Sequence, residues 1–395
     1  MNEPFIRPMT IIETLEQHGH EAYFVGGAVR DVIIGREIGD VDIATSAKPE
    51  EVMSLFSKTI LVGIEHGTVV VVLDGEQYEV TTFRAEGDYE DFRRPASVQF
   101  ITSLTADLER RDFTINAIAM NKDGELLDPF NGQQAIKDRI ICTVGEARER
   151  FTEDALRMMR ALRFVSQLGF QLEDRTKEAI KQHKSLLQHV SIERITIEFE
   201  KMLSGRFVKQ AITLMSETGV HGFLPGLDGA ARSLAKVANS HLGELKEQNE
   251  LWALLLLVLE EAECTAFLKK WKLSNRSIKE IEFAVAAFEA VNRDGWTAQI
   301  LYTYGLERAL NVVRLQRAFG IASLQFNEVK EWYDRLPIHS LKELAVKGTD
   351  LMSWTGKKGG PWLSETLQLI EQEVVAERLQ NEQSAIKEWL KCNQQ

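Results

Sequence analysis

The spacing of apolar and polar positions divides the chain into two textures. Up to about residue 145, short apolar runs alternate with helical periods and turn residues. An amphipathic helix over residues 11–18 leads into a strand, EAYFVGG, then a short helix through AVRDVII and a second strand, GDVDIAT. A helix, EEVMSLFS, follows Pro49. The run TVVVVLDGEQYEVTTFR reads as two strands joined at Asp74-Gly75, because an Asp-Gly pair between alternating segments favours a tight hairpin. A polar loop, RAEGDYEDFRRPASVQF, precedes a helix containing ERRDFTINAIAM, and NKDGELLDPFNG has strand and turn chemistry. Beyond Gly145 the apolar residues recur at intervals of three and four, and strand signals fade. The pattern predicts an α+β fold: a mixed sheet with helices in a head over residues 1–145, then an all-helical remainder without internal repeats.

Composition narrows the class. With 395 residues, 44% hydrophobic and 27% charged, the chain is an ordinary globular protein of several packed units. Its uninterrupted apolar run, residues 251–259, is too short for a bilayer and reads as a buried helix, so no membrane association is expected. The start, MNEPFIRPMTIIETL, lacks the basic-then-apolar order of a secretory signal. Cys142, Cys264 and Cys392 are odd in number and far apart, which argues against disulfides and a zinc cluster and for a reducing cytoplasm. A net charge of −12 speaks against indiscriminate coating of nucleic acid. It leaves room for a locally basic channel, since salt confines each charge to about 10 Å.

Candidate chemistry concentrates in GGAVRDVIIGREIGDVDIAT, residues 26–45. On one strand, Asp40 and Asp42 project from the same face and repel unless a cation lies between them. Mg2+ suits such a pair, because it prefers oxygen ligands and bridges carboxylates to phosphates. Gly26 and Gly27 end a strand and open a helix, where missing side chains admit phosphate oxygens to backbone amides. Arg30, one turn on, reaches the same phosphates. An Asp-x-Asp triplet alone arises by chance about once or twice in so acidic a chain. The ordered unit of strand, Gly-Gly, helix and Asp-bearing strand is far more specific.

A second stretch, FTEDALRMMRALRF, begins as a helix capped by Thr152, with Glu153 and Asp154 in the first turn. Ala155, Met158, Met159, Leu162 and Val165 gather on one side; Arg157, Arg160 and Arg163 wind down the other, a solvated basic face if charge alone decides. Base edges offer another use. Cytosine and adenine present an amino donor beside a ring-nitrogen acceptor, which a carboxylate such as Asp154 and a guanidinium such as Arg157 match. Uracil and guanine reverse both positions.

These stretches, with ERRDFTINAIA, DPFNGQQAIKDR and IERITIEF in the same order, resemble the motifs of class II tRNA CCA-adding enzymes and bacterial poly(A) polymerases, in the polymerase-beta superfamily. The matched motifs reach to about residue 198, half the chain. The resemblance implies a polymerase-beta-like nucleotidyltransferase head over 1–145, a helical neck over 146–206, a helical body over 207–315 and a tRNA-binding helical tail over 316–395. It implies template-independent addition of C, C and A to the 3′ end of tRNA from CTP and ATP, releasing pyrophosphate by two-metal transfer. Asp40 and Asp42 become the catalytic Mg2+ ligands, and Gly27, Arg30, Arg111, Asp154, Arg157, Arg160 and Arg163 the nucleotide-binding residues. Asp154 and Arg157 stand as an amino-acid template for the base. The loop over 84–95, with Asp91, Arg93 and Arg94, resembles a lever that reshapes the site between CTP and ATP, and CC-adding relatives lack it. No obligate protein partner is expected, and with no His-Asp pair no phosphohydrolase domain.

Other readings stay open at this level. Poly(A) polymerase and A-adding enzymes share the chemistry, and an RNA-binding protein with an inactive head shares the outline. Glu79 is either a third acid or a solvated strand position, and is left out of the ligand set. GKKGGPW, residues 356–362, is either an RNA contact or a helix-opening turn.

Overall fold

The computed structural model describes residues 4–62, 67–87, 89–90, 94–95 and 98–393. Two compact units emerge, Met1–Ala238 and Asn239–Gln395, and their boundary falls inside the segment 207–315.

In the first unit, α1 (Ile6–Gln17) buries Ile11, Ile12 and Leu15 beside β1 (Ala22–Val25), and Phe5 meets Phe24 edge-on at 4.8 Å. The chain continues through α2 (Gly27–Ile34), β2 (Asp42–Thr45), α3 (Pro49–Leu55), β3 (Thr59–Leu61), β4 (Thr68–Leu73) and β5 (Glu76–Thr82). Asp74 and Gly75 take φ of 51° and 88°, the left-handed pair that a two-residue hairpin requires. Later come β6 (Arg84–Glu86), β7 (Tyr89–Glu90), β8 (Arg94–Pro95), β9 (Val98–Phe100), α4 (Leu104–Glu109), β10 (Ala119–Met120) and β11 (Leu126–Leu127). A seven-stranded mixed sheet has the order β11-β10-β1-β2-β5-β4-β3, with β2 and β5 parallel. The expected α+β class is the observed one.

Two local expectations are corrected. The stretch 84–100 contains paired strands, β6 with β9 and β7 with β8, which its polar composition concealed. Asp91 and Arg93 lie outside the described residues, as does the side chain of Arg94. ERRDFTINAIAM is not a helix: α4 stops at Glu109, a 3-10 turn spans Thr114–Asn116, and β10 follows. Asp112 Oδ1 accepts the Phe113 N–H at 2.8 Å and Asn116 Nδ2 at 3.2 Å, side-chain bonds that compete with helical pairing.

Next come α5 (Gly132–Asp138), β12 (Ile140–Ile141), α6 (Ala147–Glu153), α7 (Leu156–Leu168), β13 (Gln171–Leu172), α8 (Asp174–His183), α9 (Ile192–Leu203), α10 (Val208–Thr218) and α11 (Ala231–Asn239). Thr152 is no N-cap. Its hydroxyl donates to the carbonyls of Arg148 and Glu149 within the last turn of α6, and Asp154 is extended (φ −132°, ψ 101°) at a break before α7. Met158, Met159, Leu162 and Val165 are buried as expected, but so is Arg157 at 7% exposure, so the arginine face is not a solvated one.

Helices α7 and α9 pack closely. Ser166 Oγ donates to the Met202 carbonyl at 2.5 Å, and a Cβ on Gly205 would sit 2.2 Å from Ser166 Oγ and 2.7 Å from its carbonyl carbon. Backbone cannot yield as a flexible side chain would, so Gly205→Ala is expected to cost about 1–3 kcal/mol. A melting curve checks this; an unchanged midpoint would mean that the helices separate freely.

The second unit is helical throughout its described residues: α12 (Gln248–Leu259), α13 (Cys264–Lys270), α14 (Asn275–Asp294), α15 (Ala298–Ala318), α16 (Phe326–Asp334), α17 (Gly348–Thr355), α18 (Pro361–Val375) and α19 (Gln383–Asn393). The apolar run 251–259 forms the buried α12, and Trp252 meets Trp271 edge-on at 5.1 Å. Fully buried Glu250 accepts the backbone N–H of Lys246 at 2.7 Å and Arg314 Nε at 2.6 Å, tying the start of α12 to α15. In GKKGGPW, Gly356 caps α17, Pro361 opens α18, and Trp362 Nε1 donates to the Lys358 carbonyl at 2.8 Å, which is helix-turn chemistry. No described helix is long and apolar enough to cross a membrane.

Candidate active site

A cavity of about 880 Å³ opens in the first unit, and Gly27, Arg30, Asp40, Asp42, Arg111, Asp154, Arg157, Arg160 and Arg163 all line it. Residues separated by well over a hundred positions thus share one space.

One wall is the junction of β1, α2 and β2. Gly26 has φ 73°, a left-handed conformation that side chains disfavour, and a Cβ there would meet Arg111 Nη1 at 3.5 Å and Asp42 Oδ2 at 3.6 Å, ordinary contact distances. The strand expected to carry both aspartates carries one. The β1–β2 ladder runs from Ala22↔Thr45 to Val25↔Asp42, and the chain leaves the strand at Gly26, so Asp40 has no ladder partner and lies exposed just ahead of β2. Both carboxylates still face the same cavity. Burial, then the charge of Glu79, outweigh the opposing charge of Arg111 and, with Asp40, push the Asp42 carboxyl up to about 6. Glu79 is placed there by the parallel pairing of β2 and β5, with Ile43 opposite Val80.

A buried Asp42 carboxylate repelled by Glu79 and Asp40 suits a hard cation, which prefers oxygen ligands and takes the rest of its shell from water or phosphate. Asp40 and Asp42 are the residues able to hold it. Among the described residues no group of three or more His, Cys, Asp and Glu is placed to hold a metal ion by itself, so the pair needs substrate or water oxygens to complete a shell.

The cavity is otherwise lined by arginines, and these meet acids of the same chain. Arg30 grips Asp31 with Nε and Nη2, both at 3.0 Å, and donates to Asn116 Oδ1 at 2.7 Å. Arg111 Nη2 donates to buried Asp107 at 3.2 Å, and its Nε is buried with no partner among the described residues. Arg160 Nε donates to Asp112 Oδ2 at 2.6 Å, and Arg163 Nε lies 2.7 Å from Glu198 Oε2. Burial opposes ionisation of Asp112, yet the charge and hydrogen bond of Arg160 hold its carboxyl down at about 2. The Phe164 ring underlies three guanidinium groups: Arg163 at 4.3 Å, Arg30 at 5.3 Å and Arg160 at 5.6 Å.

At the helix break, Arg157 Nη1 donates to Glu153 Oε2 at 2.6 Å and to the Arg150 carbonyl at 3.3 Å, and Nη2 to the Arg110 carbonyl at 3.0 Å. Asp154 Oδ1 accepts the Leu156 N–H at 3.1 Å, and Arg194 donates to both carboxylate oxygens, at 2.7 and 3.4 Å.

Sequence reasoning missed Asp107, Asp112, Asn116, Phe164, Arg194 and Glu198. Glu198 carried a signal: an acid beside Ile195, Phe199 and Met202 on the buried face of α9 needs a partner. Arg194, four positions earlier, is the companion signal.

Comparison with known proteins agrees with this construction. The "Poly A polymerase head domain" model matches residues 22–142, the "Probable RNA and SrmB- binding site of polymerase A" model residues 169–230, and a model described as tRNA nucleotidyltransferase domain 2 residues 244–390. The CCA-adding enzyme of Bacillus cytotoxicus is 52% identical over 395 residues, covering 98% of this chain and 99% of the relative. That of Geobacillus kaustophilus is 52% identical over 393 residues, covering 99% and 97%. The crystal structure of the Bacillus stearothermophilus CCA-adding enzyme in complex with CTP matches with a TM-score of 0.93 and 48% identity, covering 99% of this chain and 98% of that one. The Thermotoga maritima CCA-adding enzyme complexed with tRNA, 20% identical with a TM-score of 0.67, shares the fold. With full-length relatives at this identity and a cavity lined by four of the five motifs, all but DPFNGQQAIKDR, the chain belongs to the CCA-adding enzymes, the tRNA nucleotidyltransferases that its head and helices resemble.

Proposed function

We propose that this chain adds C, C and A to the 3′ end of tRNA from CTP and ATP, without a template strand, with Asp154 and Arg157 selecting the base. The observation that carries the reading is that these two residues line the same cavity as Asp40 and Asp42. A nucleotide spanning the cavity has its triphosphate near the Gly26-Gly27 junction and its base near the α6–α7 break.

Divalent cations held by Asp40 and Asp42, Mg2+ in our reading, would supply the charge that activates the 3′-hydroxyl and steadies the triphosphate. The chain's own groups do the rest. The amides opening α2 at Gly27, with Arg30, Arg111, Arg160 and Arg163, orient the triphosphate. Nη1 of Arg111, which faces the Gly26 junction, is the donor we assign to an anionic oxygen there. Asp154 accepts from the amino group of C or A, and Arg157 donates to the neighbouring ring nitrogen. Among the described residues three of its five N–H donors are engaged, which leaves Nε and one Nη2 hydrogen for the base on a fixed plane. Uracil and guanine set carbonyl against carboxylate and N–H against guanidinium.

The head over 1–145, neck over 146–206, body over 207–315 and tRNA-binding tail over 316–395 are the division we assign, with the cytoplasm as the setting. Each base-edge pairing contributes about 1–3 kcal/mol of discrimination, or about 5- to 150-fold. Asp154→Ala is therefore expected to lower the preference for CTP over UTP by that factor, measured on tRNA lacking its 3′ CCA. An unchanged ratio would end the base-selecting reading, and long tails made from ATP alone would favour a poly(A) polymerase.

A further inference from the structure

We propose that Arg194 is a positioning residue that keeps Asp154 and Arg157 apart and so keeps both available to the incoming base. The inference rests on the base-selecting reading above.

An acid and an arginine three positions apart are natural ion-pair partners. Were Asp154 and Arg157 to join, the carboxylate would lose acceptor capacity and the guanidinium its remaining donors, leaving the base nothing to read. The structure gives each a different partner. Arg157 is held by Glu153 and by two carbonyls, and Asp154 is held by Arg194. The hold on Asp154 comes from another helix, because its own backbone is extended at the break and no helical turn fixes its direction. Arg194 lies in the first turn of α9, which is locked against α7 through Ser166 and Met202.

Contact with both carboxylate oxygens fixes the plane of the carboxylate as well as balancing its charge. A lysine supplies the charge without the plane. Oδ1 accepts both the Leu156 N–H and Arg194, whereas Oδ2 accepts Arg194 and keeps a further lone pair, so a base amino group joins Asp154 at Oδ2 without evicting Arg194. Arg194 touches no reacting atom; it acts through Asp154.

The test compares Arg194→Ala, Arg194→Gln and Arg194→Lys with Asp154→Ala, using CTP, ATP and UTP singly on tRNA lacking its 3′ CCA, with melting curves for each variant. For Arg194→Ala we expect a CTP:UTP preference about tenfold lower, with the loss falling mainly on KM for CTP and ATP. Arg194→Lys restores part of it. The double variant Arg194→Ala with Asp154→Ala is no worse than Asp154→Ala alone, because one residue acts through the other. Should Arg194→Ala melt early, Arg194→Gln carries the comparison. If Asp154→Ala alters the ratio and the Arg194 variants do not, or if the two losses multiply, the positioning role is overturned and base selection stands. If neither position alters the ratio, both fall together.

Discussion

Asp42→Asn is expected to cut CTP incorporation by about a thousandfold or more while leaving the protein at least as stable at pH 7.5. The two effects have one origin. Asp42 is crowded by Glu79 and Asp40 in a partly buried position, and its carboxyl titrates near 6 instead of 3.8. Charge held there is unfavourable for the empty protein and useful only when a cation offsets it. Removing the charge discards several kcal/mol of transition-state stabilisation, about tenfold in rate for each 1.4 kcal/mol. The same change relieves repulsion in the folded state.

The pH dependence follows in sign. A carboxyl raised in the folded state binds more protons there than in the unfolded chain between about pH 6 and 3.8, so its contribution to stability grows as pH falls through that window. A divalent cation competes with that proton. Stabilisation by MgCl2 should therefore be clear at pH 7.5 and shrink toward pH 5, and the shrinkage should vanish in Asp42→Asn. Single-turnover incorporation and melting curves across this range decide it. An active Asn variant, or one that melts several degrees lower, would sink the assignment.

Asp112→Ala is the second large effect, and it runs through stability. Its carboxylate accepts from Arg160, from Asn116 and from the Phe113 N–H, with the side chain only 8% exposed. Truncation leaves a guanidinium and two further donors without their acceptor. A fully buried pair broken in this way costs about 3–5 kcal/mol; Arg160 keeps some solvent contact, so about 2–4 kcal/mol is expected. Asp112 is depressed to about 2 from 3.8, so its contribution is present above pH 3.8 and drains away as pH falls toward 2. Denaturant unfolding at pH 7 and pH 3 measures both parts. A loss under about 1 kcal/mol at pH 7 would show that the carboxylate is replaceable by water.

What the sequence disclosed depended on how far apart the partners lie. Gly26-Gly27 and the hairpin at Asp74-Gly75 are local, since left-handed or side-chain-free positions announce themselves in neighbouring letters. Asp40 and Asp42 were legible as a pair, though not their separate settings, because the end of β1 at Val25 decides where β2 begins. Thr152 misled for a related reason: a hydroxyl that caps one helix can equally bond back inside the last turn of another. The partners of the arginines were least visible. Asp112 and Arg160, or Asp154 and Arg194, are 48 and 40 positions apart and meet only after the helices have packed.

The pairing of Arg30, Arg110, Arg111, Arg157, Arg160, Arg163 and Arg194, each against an acid of the same chain, has a thermodynamic corollary. A bare basic groove gathers a loose cloud of anions from solution, and any polyphosphate that displaces them is rewarded by their release. Here the neutralising ions are covalently attached and go nowhere. A stray nucleic acid gains little entropy on arrival, so occupancy depends on geometric fit, and a protein with twelve excess negative charges can still host a triphosphate.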